Sequence, residues 1–142
     1  MKIKSLNLLG LHFHLGSPIF ELEPYSEAID YVYKFASLMK KKYEFEMLEF
    51  SPGGGFAIGY LPQKKPLTIE EYAKTICNSV KESCDKYGFD IPKITLEPGR
   101  ALIGRAGVSI YRVGSIKKIP SVRNYISVDG GMGDNIRPAL YG

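Results

Sequence analysis

Apolar residues along this chain fall into two alternating rhythms. Short runs, Leu8-Leu9-Gly10-Leu11, Met47-Leu48-Glu49-Phe50 and Ile94-Thr95-Leu96, are separated by long stretches with helical spacing. In the first stretch Tyr25, Ala28, Ile29, Val32, Phe35, Ala36 and Met39 recur three or four apart, while Asp30, Lys34, Lys40 and Lys41 fall mostly off that stripe. Pro24 suits a helical first turn, where its missing N–H costs nothing. The second stretch opens on Thr68-Ile69-Glu70-Glu71, the form of a capping box. It carries Ile69, Tyr72, Ala73, Ile76, Val80, Cys84 and Tyr87 on one face, and Gly88 is a natural stop. The first short run reads as a strand buried on both faces. Strand and helix thus alternate up to Arg100, the signature of parallel βα units.

After Arg100 the rhythm changes. Val108, Ile110, Tyr111, Val113 and Ile116 lack helical spacing, and Tyr125-Ile126-Ser127-Val128 follows. These are expected to be antiparallel strands of a separate all-β region. The division is placed near Gly104, giving segments 1–104 and 105–142.

The chain has 142 residues, whereas a complete α/β barrel typically needs ~250. A partial barrel, about three βα units, is therefore the expected fold of the first segment. Nineteen basic and fifteen acidic residues give a formal charge of +4, much of it in Lys40-Lys41-Lys42, Lys64-Lys65 and Lys117-Lys118. No basic stripe interleaved with aromatics accompanies it, so a solvated surface is expected, not a nucleic-acid interface. No apolar run approaches the ~20 residues of a membrane span. The segment Met1-Lys2-Ile3-Lys4-Ser5 leads into no cleavage site of the signal-peptide kind. Cys77 and Cys84 stand two turns apart on one predicted helix, ~10.5 Å, too far for a disulfide. Both are expected to pack as small apolar side chains in a reducing cytoplasm.

Candidate chemistry gathers at the ends of the three predicted strands. His12-Phe13-His14-Leu15-Gly16-Ser17 follows the first, Ser51-Pro52-Gly53-Gly54-Gly55 the second, and Glu97-Pro98-Gly99-Arg100 the third, at intervals of about 40 residues. One βα unit fills each interval, so the three clusters are expected to share one site on the C-terminal face of a parallel sheet. Gly53, Gly54 and Gly55 permit close approach of an anion to backbone N–H groups, which suits a phosphate. Ser17 and Arg100 flank them as natural phosphate or carboxylate partners. Glu97 is a buried-type carboxylate and needs a partner, either Arg100 in an ion pair or a protonated ring nitrogen of a cofactor. His12 and His14, two apart on a strand, share a face and are potential metal ligands. No Cys, Asp or third His stands at another strand end, so no metal is expected. The run Asp129-Gly130-Gly131-Met132 to Arg137-Pro138-Ala139-Leu140-Tyr141 adds a glycine-rich loop with an Arg and a Tyr four apart, a second cation for a substrate carboxylate.

These segments resemble a known family. Gly10 to Ser17, Gly53 to Phe56, Glu97 to Arg100 and Asp129 to Tyr141 look like diaminopimelate decarboxylase, a pyridoxal-phosphate enzyme with an alanine-racemase-like barrel and a β-domain. The likeness runs from about Leu8 to the last residue. The first three motifs are shared with ornithine and arginine decarboxylases of this fold, and the Arg-Pro-Ala-Leu-Tyr ending selects diaminopimelate decarboxylase. The resemblance implies a pyridoxal 5'-phosphate site. His14 would stack on the ring, and Ser17, Gly53, Gly54, Gly55, Gly99 and Arg100 would hold the phosphate, with Pro98 shaping that turn. Glu97 would pair with the ring nitrogen so that the ring accepts electrons as carbon dioxide leaves. Arg100, Arg137 and Tyr141 would bind the substrate, meso-diaminopimelate. It further implies a cytoplasmic homodimer with the site at its interface. Two positions depart from the family pattern: Pro18 stands where Gln is usual, and Ser51-Pro52 precedes the glycines. The family's Schiff-base lysine, Cys-Glu-Ser motif and late tyrosine have no counterpart here. The expectation is an internal section of a longer decarboxylase, inactive alone, with its barrel part in 1–104 and the start of its β-domain in 105–142. The rival expectations are a decarboxylase of ornithine or arginine, and a non-catalytic regulatory relative.

Overall fold

In the computed structural model residues 5–60 and 65–141 are described. Met1 to Lys4 and Lys64, part of the readings on leader sequence and surface charge, lie outside them. The chain divides into two compact units, Met1–Ala106 and Gly107–Gly142.

The first unit is α/β. Strand β1 (Gly10–His12), helix α1 (Glu23–Tyr43), strand β2 (Glu49–Ser51), helix α2 (Ile69–Tyr87), strand β3 (Lys93–Ile94) and the single turn α3 (Arg100–Ile103) follow in order. The strands form a three-stranded sheet in the order β1-β2-β3. Both pairings are parallel, with Leu11 beside Phe50, His12 beside Ser51, and Phe50 beside Ile94. Strands β1 and β2 sit one or two residues later than the apolar runs suggest, and β3 one or two residues earlier. Leu8 and Leu48 are largely exposed at 68% and 61%, so the first run is not buried on both faces. The reason is coverage: the two helices pack on one face of the sheet, and β1 and β3 are its edges.

Sequence explains the helices directly. Pro24 lies in the first turn of α1, Glu23 is its acidic opening, and Lys40, Lys41 and Lys42 fall in its last turn, where their charge suits the helix dipole. Thr68 and Glu71 form the capping box of α2, each side chain bonding the other's backbone N–H at 3.2 and 2.7 Å. Gly88 closes α2 in the left-handed conformation at φ 73°.

The core is built from Tyr25, Ile29, Tyr33 and Ala36 of α1, Tyr72, Ile76, Val80 and Cys84 of α2, and Met47, Phe50, Phe56 and Phe89 between them. Each fully buried large side chain contributes about 1.5–3 kcal/mol. Tyr33 is a core residue outside the predicted stripe, whereas Phe35, within it, is half exposed at 47%. Cys84 is buried and Cys77 is exposed; two turns apart, they stand on nearly the same side of α2, but only Cys84 is covered by the core, so only one packs as expected. Among the described residues no helix is long and apolar enough to cross a membrane.

The second unit is a hairpin, β4 (Val113–Ile119) and β5 (Arg123–Val128), antiparallel with an irregularity between Val113 and Ile116. Asp129 fastens its open end, accepting the Arg112 N–H at 2.8 Å. The short helix α4 (Arg137–Tyr141) completes the unit.

Candidate cofactor site

The three parallel strands end side by side, and the residues beyond them pack too tightly for side chains. A Cβ at Gly54 would run into the backbone carbonyl of Glu97, and one at Gly53 into the carbonyl of Phe13. Gly53 also has φ 73°, open at little cost only to glycine. The glycines therefore let the β1, β2 and β3 ends meet. This close approach is their structural role.

Two core tyrosines hold the turn from beneath. In a βα unit the helix begins near the C-terminal end of its strand, so early helical residues reach the strand-end loops. Tyr25, in the first turns of α1, donates its hydroxyl to Gly54 O at 2.7 Å. Tyr72, near the start of α2, donates to Ile19 O at 2.5 Å and accepts the Ala57 N–H at 3.3 Å. The rings of Tyr25 and Tyr72 meet edge to face at 5.9 Å. Burial pushes the Tyr25 hydroxyl up to about 12 and that of Tyr72 upward as well, so both remain neutral donors over the ordinary pH range.

Above this floor stand the polar side chains. Gly54 donates its N–H to Nδ1 of His14 at 3.3 Å. Gly53 donates its N–H to Ser51 Oγ at 3.2 Å, and Ser51 in turn donates to Glu97 Oε1 at 3.0 Å. His12 Nε2 lies 3.2 Å from Oε1 and 3.3 Å from Oε2 of Glu97. A groove of about 300 Å³ is lined by His12, Glu49, Ser51, Thr95 and Glu97 among others. Ser17 is exposed beside Gly16, at the end of the β1 segment.

Several expectations change here. Glu97 is half exposed, with 50% of its side chain open. Its contacts are His12 and Ser51, and not Arg100. The physical reason is register: His12 and Ser51 are paired neighbours, and paired residues of a parallel sheet share a face. Arg100 points elsewhere, its guanidinium 5.8 Å from the centre of the Tyr60 ring. The Gly53 and Gly54 N–H groups are already engaged with Ser51 and His14, so they do not form the open anion nest that three adjacent glycines suggest. His12 and His14 bond to different partners, and among the described residues no cluster of three or more His, Cys, Asp or Glu forms. Sequence reading named Ser51 in the second cluster and Tyr25 in the first helical stripe without giving either a task at the site, and did not name Tyr60. The position of Ser51, opposite His12 across the sheet, was the one signal available, and it needs the register to be read.

In the second unit Arg137 and Tyr141 lie on one turn of α4, the guanidinium 4.9 Å from the ring centre. Asp134 accepts the Gly131 N–H at 2.8 Å, and Asn135 Oδ1 accepts the Arg137 N–H at 3.3 Å.

The donor set suits a pyridoxal-type cofactor. A turn packed so closely that a Cβ would collide, a carboxylate with capacity for one more donor, and an exposed imidazole lie at neighbouring strand ends.

Comparison with known proteins agrees. The diaminopimelate decarboxylase of Bacillus subtilis (strain 168) is 45% identical over 141 residues, which cover 99% of this chain and 32% of that protein. The crystal structure of diaminopimelate decarboxylase from M. jannaschi superposes with a TM-score of 0.84 at 33% identity, over 99% of this chain and 31% of the other. The same enzyme in co-complex with L-lysine gives 0.81 at 34% identity, over 95% and 30%. The chain thus spans about a third of the length of the curated relatives it matches. Residues 1–104 match the pyridoxal binding domain of the pyridoxal-dependent decarboxylases, and this chain belongs to that family.

Proposed function

We propose that this chain is a section of a diaminopimelate decarboxylase, which releases carbon dioxide from meso-diaminopimelate to give L-lysine. On this reading residues 1–104 supply the last three βα units of a pyridoxal-phosphate barrel, and residues 105–142 open its β-domain. The observation that carries the reading is the meeting of His14, the Gly53–Gly55 turn and Glu97 at three adjacent parallel strand ends.

The chain's own residues have separable tasks. His14, its Nδ1 held by Gly54, would stack on the cofactor ring. Ser17, Gly55, Pro98, Gly99 and Arg100 would hold the phosphate, while Gly53 and Gly54, their N–H groups engaged with Ser51 and His14, would shape the turn beneath it. Glu97 would accept the ring N–H and keep the nitrogen protonated. Pyridoxal phosphate, when bound, supplies the electron sink for loss of carbon dioxide. Arg100, Arg137 and Tyr141 would take the substrate carboxylates, and a cation at Arg137 favours a substrate with an acid at each end over ornithine or a diamine. The assembly proposed is a cytoplasmic homodimer with the site at its interface.

The test is Glu97→Ala in the full-length decarboxylase. The carboxylate acts on charge developing in the transition state, so kcat should fall far more than cofactor affinity. Near-wild-type turnover with loss of the cofactor would leave Glu97 a structural residue only. The 142-residue chain alone is expected to release no carbon dioxide from meso-diaminopimelate above a heat-killed control.

A further inference from the structure

Glu97, three residues beyond the end of β3, is held on several sides. Its N–H donates to Gly53 O at 2.9 Å, and its Oε1 accepts from Ser51 Oγ at 3.0 Å. The Ser51 oxygen is itself committed, because Gly53 N–H donates to it at 3.2 Å. That bond fixes which way the hydroxyl proton points, toward Glu97. Ser51 is 9% exposed and the turn behind it is buried, so the donor is rigid. From the other side His12 Nε2 stands nearly equidistant from the two carboxylate oxygens, at 3.2 and 3.3 Å. An exposed glutamate otherwise samples several rotamers, and freezing one is unfavourable in entropy. Buried Ser51 supplies one rigid partner and His12 a second contact, and together they restrict that freedom in advance. An ionised carboxylate has about four lone-pair sites, so one remains for a further donor.

We propose that Ser51 and His12 are positioning residues: they orient the Glu97 carboxylate toward the cofactor ring nitrogen, and Ser51 ties that carboxylate to the glycine turn. The proposal rests on the pyridoxal-phosphate reading above. Its consequence is that one hydrogen-bonded circuit, Gly53 to Ser51 to Glu97 and back to Gly53, links the two ends of the cofactor site.

The experiment uses the full-length holoenzyme with Ser51→Ala and His12→Phe. Each should lower kcat about ten-fold, the scale of one lost hydrogen bond to a charged group. Substrate KM should stay within about two-fold, and the absorbance of the bound cofactor should shift as ring protonation weakens. Ser51→Thr keeps the hydroxyl and His12→Gln keeps a donor near Nε2, and both should recover most of the loss. The deciding measurement is each substitution in a Glu97→Ala background. Residues that act through Glu97 have nothing further to lose there. Losses that multiply in the double variants, or single variants with an unshifted spectrum, overturn the proposal. Unchanged kcat in Glu97→Ala alone overturns the reading beneath it.

Discussion

The N–H of Gly54 is given to Nδ1 of His14, 3.3 Å away. The imidazole proton must then sit on Nε2, and the ring is anchored to the turn it stands over. The same glycine offers its carbonyl to buried Tyr25 at 2.7 Å, so Gly54 couples the core to the site.

Gly54→Ala should therefore damage both. The added Cβ meets the Glu97 carbonyl, which is backbone and cannot rotate away. Overpacking of this kind costs about 1–3 kcal/mol. The melting temperature of the holoenzyme should fall, and cofactor affinity should fall with it as β2 and β3 separate. Titration with pyridoxal 5'-phosphate and thermal melting check this. A variant that binds and melts like the parent would show that the strand ends have slack.

Arg137→Ala in the full-length enzyme should raise the apparent substrate constant for meso-diaminopimelate and spare the cofactor. Arg137 is stacked on Tyr141 one helical turn away, and Asp134 is engaged with Gly131, so the guanidinium is not spent on capping its loop through Asp134. Loss of one charge-assisted hydrogen bond costs about 1.5–3 kcal/mol, roughly ten- to a hundred-fold in affinity. Ranking diaminopimelate, lysine and ornithine before and after substitution decides the matter. An unchanged ranking assigns Arg137 to stability.

The buried tyrosines predict alkaline sensitivity. Burial raises Tyr25 to about 12 and moves Tyr33 and Tyr72 upward. The unfolded chain releases these protons first, near pH ~10, so above that pH the folded state binds more protons and stability falls as pH rises. Below pH ~10 the contribution is complete. Denaturant midpoints measured at rising pH should decline through this window, and tyrosinate absorbance should appear together with unfolding. Tyrosinate formed while the fold persists would contradict the burial argument.

The two cysteines should react unequally. Cys84 is buried against Tyr33, to whose hydroxyl its thiol donates at 3.5 Å. Desolvation raises its pKa, and the thiolate is the reactive form. Cys77 is exposed. A brief treatment with an alkylating reagent under native conditions should label Cys77 alone, and denaturant should release Cys84. Equal labelling under native conditions would mean that α2 does not pack as described.

How much of this could be read from the chain depends on the range of the interactions. The capping box at Thr68, the stop at Gly88 and Pro24 in the first turn of α1 are local, so sequence alone determined them. So is the alternation of apolar runs and helical stripes, which made the fold α/β and brought three polar clusters to neighbouring strand ends. What sequence could not decide was which side chains face one another there. The pairing of Glu97 with His12 and Ser51, and the turning of Arg100 onto Tyr60, follow from strand register and from the rotation of a single helical turn. Neither leaves a mark in residue spacing. The glycines show both sides of this. Their conformational freedom is written in their identity, but the carbonyls they must clear belong to residues about 40 positions away, and only the folded sheet brings those into contact.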